Sequence, residues 1–109
     1  MRRPIPIEIT KEQAWELFLA QNGLCHFTGK ELRISNNNIA NTASIDRINN
    51  ELGYVVGNIR WVHKHINIMK NRYADSYFVD LCQAVTDHQV KGVVNAQNNP
   101  IATGACPVR

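Results

Sequence analysis

The sequence holds three cysteines, Cys25, Cys82 and Cys106, too few and too widely spaced for a disulfide framework. There is no Cys-x-x-Cys pair, so a structural zinc knuckle is not expected. No apolar run approaches the roughly 18 residues of a membrane span, which argues against a membrane partner. The opening MRRPIPIEIT has two arginines but no apolar segment behind them, so it does not read as a secretion signal. A cytoplasmic protein is the expectation. No lysine-rich run stands out and no internal repeat is visible. Twelve Lys and Arg against nine Asp and Glu leave a formal charge of +3, a balance that suits a polyanion partner without demanding one.

What is present is an ordinary folded composition. A hydrophobic fraction of 44% argues against global disorder, and 109 residues suit one domain with a modest core. Pro4 and Pro6 make residues 1 to 9 an extended lead-in. Thr10 followed by Gln13 is a capping-box pattern, so a first helix is expected over Lys11 to Asn22, with Gly23 as its stop. LCHFTG at 24–29 is a tight connection, and Glu31 to Ile34 a short strand. Ser35 to Asn41 has loop chemistry.

Ala43 to Ile48 alternates as a strand, Asn49 to Gly53 turns, and Tyr54 to Val56 is a second β-type pulse broken by Gly57-Asn58. Trp61 to Asn71 then shows helical periodicity. Val62, Ile66, Met69 and Tyr73 form its buried stripe, and His63, Asn67 and Lys70 lie on the neighbouring stripe, within about 60° of one another. A last helix is expected from Asp75 or Ser76 to about Thr86, with Cys82 as a small buried hydrophobe. The expected division is a domain over 1–89 and a tail over 90–109.

An acidic residue on a strand, Asp46, facing an amide, a base and a cation on a helix makes a candidate metal and phosphate site. The string SIDRIN…GY…GNIRWVHK.IN.MK resembles the HNH endonucleases, nucleases of the ββα-metal fold. More narrowly it is similar to phage and bacterial HNH-like proteins carrying SLDRID…GYV.GNVQWV. The likeness runs from about Ile9 to Val85. Its specificity lies in the whole string, with Asn67 nine positions after Asn58 and Lys70 three further on.

The resemblance implies an α+β fold, a small single domain with a ββα-metal core flanked by an N-terminal and a C-terminal helix. It implies hydrolysis of phosphodiester bonds in DNA with one divalent cation, leaving 5′-phosphate and 3′-hydroxyl ends. Mg²⁺ or Mn²⁺ would take oxygen ligands from Asp46 and Asn67. Lys70 would offset charge on the phosphate, and Asn58 would brace the loop before the helix. Attack by water needs no 2′-hydroxyl, so RNA stays open as a substrate.

Two departures matter. Arg47 stands where most of the family has a histidine base, and arginine stays protonated at any working pH. Arg47 is therefore expected to hold the scissile phosphate, and His63 to act as base. At the positions of the family's zinc ligands stand Cys25, Thr28, His63 and Ile66. Structural zinc is not expected, and packing of Trp15, Phe18, Trp61 and Ile66 should replace it.

Taken singly, Asp46 reads as a turn acid and Asn67 as a surface amide. Arg47, Arg60, Lys64 and Lys70 are candidate nucleic-acid contacts, although any one of them alone reads as a solvated charge. So small a footprint makes a homodimer or a partner protein a reasonable expectation. Two rivals stay open beside the nuclease: a nucleic-acid-binding module that has lost hydrolysis through Arg47, and a structural protein reusing the fold.

Overall fold

Thr10 opens the first helix with the reciprocal cap its sequence spells out. In the computed structural model, which describes residues 5–95 with side chains through residue 92, Gln13 N–H donates to the Thr10 hydroxyl at 3.0 Å. The Thr10 N–H donates to Gln13 Oε1 at 2.9 Å. Helix α1 spans Lys11–Ala20. It ends slightly earlier than its apolar pattern suggests, because Asn22 and Gly23 turn left-handed at φ 57° and 68°. A side chain at residue 23 would also meet the Phe18 ring at 3.3 Å, so glycine suits that stop twice over.

The chain then makes two antiparallel strands, β1 (Ala43–Arg47) and β2 (Ile59–His63), and runs directly into a short helix α2 (Lys64–Lys70). The register pairs Ala43 with His63, Ser44 with Val62, Ile45 with Trp61, Asp46 with Arg60 and Arg47 with Ile59. This corrects the expected helix over Trp61 to Asn71. Its first three residues belong to β2, where alternation and β-branched or aromatic side chains suit the pairing. Val62 is fully buried, as expected, but from a strand. Met69 and Tyr73 of the same expected stripe are exposed. Tyr54 makes only an isolated bridge with Ile7, and Glu31 one with Leu24, in place of the expected short strands.

The core gathers Cys25, Leu32, Ala43 and Val62, with Phe18, Phe27 and Trp61 packed against it. Burying a side chain such as Val62 contributes about 1.5–3 kcal/mol. Phe18 stacks on Trp15 and meets Trp61 edge-on, at 5.3 and 5.4 Å between centroids. The Trp61 indole N–H donates to the Ala14 carbonyl at 2.8 Å, fixing α1 on β2. Aromatic packing therefore stands where a zinc brace is not expected, although Trp15 keeps half its surface exposed.

The chain divides at residue 72 into two compact units. The first carries α1, β1, β2 and α2. In the second, a helix α3 spans Asp75–Asn95, well past the expected end near Thr86, and Cys82 is exposed on it rather than buried. Residues 96–109 of the expected tail lie outside the described residues. With helices and one two-stranded antiparallel sheet, the architecture is α+β, and its β1–β2–α2 order is the strand–strand–helix arrangement expected from the sequence. Among the described residues no helix is long and apolar enough to cross a membrane.

Candidate functional site

The site is assembled by two periodicities meeting across the β2–α2 junction. Ser44 and Asp46 are two apart on β1 and share a face of the sheet. Asn67 and Lys70 are three apart on α2 and share a face of the helix. Asn67 donates from Nδ2 to the Ser44 hydroxyl at 2.8 Å. The Lys70 ammonium stands 3.8 Å from Asp46 Oδ2. The structure therefore brings Asp46, Asn67 and Lys70 together as expected, with Ser44 as an addition that the two-residue strand period could have revealed.

Arg60 completes the arrangement in an unexpected way. Its register opposite Asp46 places both on one face, and Arg60 Nε donates to Asp46 Oδ2 at 2.9 Å. Asp46 and Arg60 are each 5% exposed and Lys70 only 1%. Arg60 and Lys70, expected to meet nucleic acid, are instead buried charge partners of this carboxylate. The Arg60 guanidinium also lies over the Phe27 ring at 4.7 Å. Lys64 bonds through its ammonium to the Asn38 carbonyl, in the loop that precedes β1.

Asn58 has the bracing geometry that the resemblance implies. Its Oδ1 accepts from the Asn49 N–H at 2.8 Å, and its Nδ2 donates to the carbonyls of Asn49 and Gly53 at 3.1 and 2.8 Å. One buried amide thus ties both ends of the loop between the strands. Gly53 permits a close backbone passage there, since a Cβ would sit 2.4 Å from the Pro6 carbonyl oxygen. Arg47 ties the same loop from outside. Its Nη1 donates to the carbonyls of Asn50 and Leu52 at 2.9 and 3.0 Å, and its guanidinium lies over Tyr54.

His63 departs most from expectation. It is the last residue of β2, and its backbone is extended, so it does not share a helical stripe with Asn67 and Lys70. Paired with Ala43, it has the strand parity opposite to Ser44 and Asp46. Its ring instead caps α2, with Nδ1 accepting the His65 N–H at 3.1 Å. Burial, helped by the nearby charges of His65, Lys64 and Lys30, holds its pKa below the usual histidine value.

On that side of the hairpin, Cys25 Sγ accepts the backbone N–H groups of Thr28 and His63 at 3.4 and 3.3 Å. Burial pushes the thiol up, but hydrogen bonds from Thr28, His63 and Phe27 outweigh it and hold its pKa below the usual thiol value. Among the described residues no group of three or more His, Cys, Asp or Glu is placed to hold a metal.

Asp46 and Asn67 open onto one cavity of about 250 Å³, whose polar lining also includes Arg47, Asn50, Tyr54, Asn71 and Arg72. His63 does not line it. Sequence reasoning did not single out Asn71 and Arg72. Asn71 leaves the helix at φ 51°, a left-handed turn with no glycine to announce it. The cavity offers hard oxygen donors of the kind Mg²⁺ or Mn²⁺ takes, from the Asp46 carboxylate and the Asn67 amide. In donor type these residues suit a divalent cation, while the Asp46 carboxylate is buried and already paired with Arg60 and Lys70. No family model, curated protein or solved structure matches this chain.

Proposed function

We propose that this protein is a metal-dependent endonuclease of the HNH type that hydrolyses phosphodiester bonds in DNA. The observation that carries the reading is the cleft itself. A strand carboxylate, Asp46, and a helix amide, Asn67, line one cavity with the arginines Arg47 and Arg72. The Asn58 brace, on the loop between the strands, supports the same reading.

In this mechanism Asp46 and Asn67 would hold the cation, with Ser44 fixing the Asn67 amide through its hydroxyl. A bound cation supplies Lewis acidity at a phosphate oxygen and lowers the pKa of its water. Arg47 has a guanidinium already anchored to loop carbonyls, so it presents fixed positive charge to a phosphate in the cleft. Arg60 and Lys70 hold the Asp46 carboxylate in place. His63 caps α2 and does not line the cleft, so its imidazole is not placed to take a proton from water there.

A specific observation favours a second reading, nucleic-acid binding without hydrolysis. The Asp46 carboxylate already accepts Arg60 and stands near Lys70 through one oxygen, so loading a cation competes with both. Supercoiled plasmid incubated with Mg²⁺ or Mn²⁺ separates the readings. Nicked product with 5′-phosphate ends supports the nuclease. Salt-dependent DNA retention with no cleavage in either ion supports the binding module.

A further inference from the structure

The lysines and arginines of β1, β2 and α2 are all committed. Arg60 and Lys70 are buried against Asp46, Lys64 bonds the Asn38 carbonyl, and Arg47 is held by two loop carbonyls and a tyrosine face. Arg72 differs. Its side chain is exposed, and among the described residues its guanidinium makes no hydrogen bond or ion pair. Its backbone, in contrast, is fixed on both sides. The Asn71 N–H closes on the Asn67 carbonyl at 3.0 Å, and the Asn50 amide donates to the Arg72 carbonyl at 3.2 Å.

Arg72 also lines two cavities at once. One is the Asp46–Asn67 cleft, and the other is a larger hollow of about 670 Å³ whose wall includes Glu8, Glu51, Leu52 and Val55. Arg47 and Asn50 are the other residues common to both. A guanidinium at this junction carries five N–H donors suited to a phosphate oxygen pair, and Arg72 has none of them engaged. We propose that Arg72 holds a backbone phosphate of a nucleic-acid strand where the cleft opens into the larger cavity. This rests on the nucleic-acid reading above and adds to it the residue that positions the strand.

Anisotropy titrations of a labelled DNA duplex with the full chain in EDTA, across NaCl concentrations, test it. One lost phosphate contact lowers the salt slope of log K by about 0.9, which corresponds to about eightfold weaker binding at 0.1 M salt. R72Q is expected to show both changes with an unchanged urea midpoint, and R72K to restore the slope. An R72Q slope equal to that of the wild type overturns the proposal and leaves the nucleic-acid reading standing. A loss that R72K does not restore, together with a lowered midpoint, assigns Arg72 a structural role and also overturns it. Wild-type protein that binds no DNA removes the reading itself, and the proposal with it.

Discussion

Asp46→Ala would damage the fold before it damages any chemistry. The carboxylate sits 2.9 Å from Arg60 Nε and 3.8 Å from Lys70 Nζ. At an effective dielectric near 20 these separations correspond to gross attractions of about 6 and 4 kcal/mol. Desolvating all three groups offsets most of that, so the net worth of the triad is small. Removing only the carboxylate is a different matter, because Arg60 and Lys70 stay buried without it, and such losses cost about 3–5 kcal/mol. A domain this size has only about 5–15 kcal/mol of total stability. Lys70→Met keeps length and leaves Asp46 bonded to Arg60, so it should cost less than Asp46→Ala. Urea denaturation followed by far-UV circular dichroism reads both variants against wild type. An Asp46→Ala variant within about 1 kcal/mol of wild type would refute the buried-triad reasoning. The same logic makes Asp46→Ala a poor activity probe unless its folding is checked first.

Further outcomes follow from the same geometry. Asn58→Ala removes three hydrogen bonds to backbone groups of the loop and should lower stability by about 2–4 kcal/mol, measured by the urea midpoint. Under the proposed nuclease reading, Arg60→Gln removes one positive charge from Asp46, so half-maximal cleavage should need roughly tenfold less Mn²⁺. A lowered His63 pKa means the unfolded chain takes its proton first. Stability should therefore be complete above about pH 6.5 and fall as pH drops through that value toward the lower folded pKa. His63→Asn keeps an N-cap acceptor without titrating, and its urea midpoint should be flatter between pH 5 and 7.

Structure is legible in the sequence where the interaction itself is local. The Thr10–Gln13 box is three residues wide, and the β1 alternation is contained in five. The second strand is hidden in the sequence because Val62, Ile66 and Met69 fall at helical spacing by coincidence. The partner that makes residues 59–63 a strand lies 12 to 20 positions earlier in the chain. That one pairing reassigns two candidate residues. It moves His63 off the shared face, turns Arg60 inward onto Asp46, and leaves Asn67 and Lys70 where the i, i+3 spacing put them. The resemblance supplied the role of Asn58, whose bonds to Asn49 and Gly53 are short-range in sequence. Arg72 gave no signal, because its place in the cleft depends on the left-handed turn at Asn71.

The most direct test sets Asn67→Ala beside His63→Ala in the plasmid-nicking assay with Mn²⁺. Asn67 is half-buried and its side chain donates to Ser44, so its loss should spare the fold. A nuclease cleft centred on Asp46 and Asn67 predicts that Asn67→Ala cuts about 10–100-fold more slowly at limiting metal. His63→Ala should stay within about tenfold of wild type, since a missing helix cap costs stability, about 1 kcal/mol, rather than chemistry. Wild-type rates in Asn67→Ala, or abolished cutting in a folded His63→Ala, would contradict the site as placed.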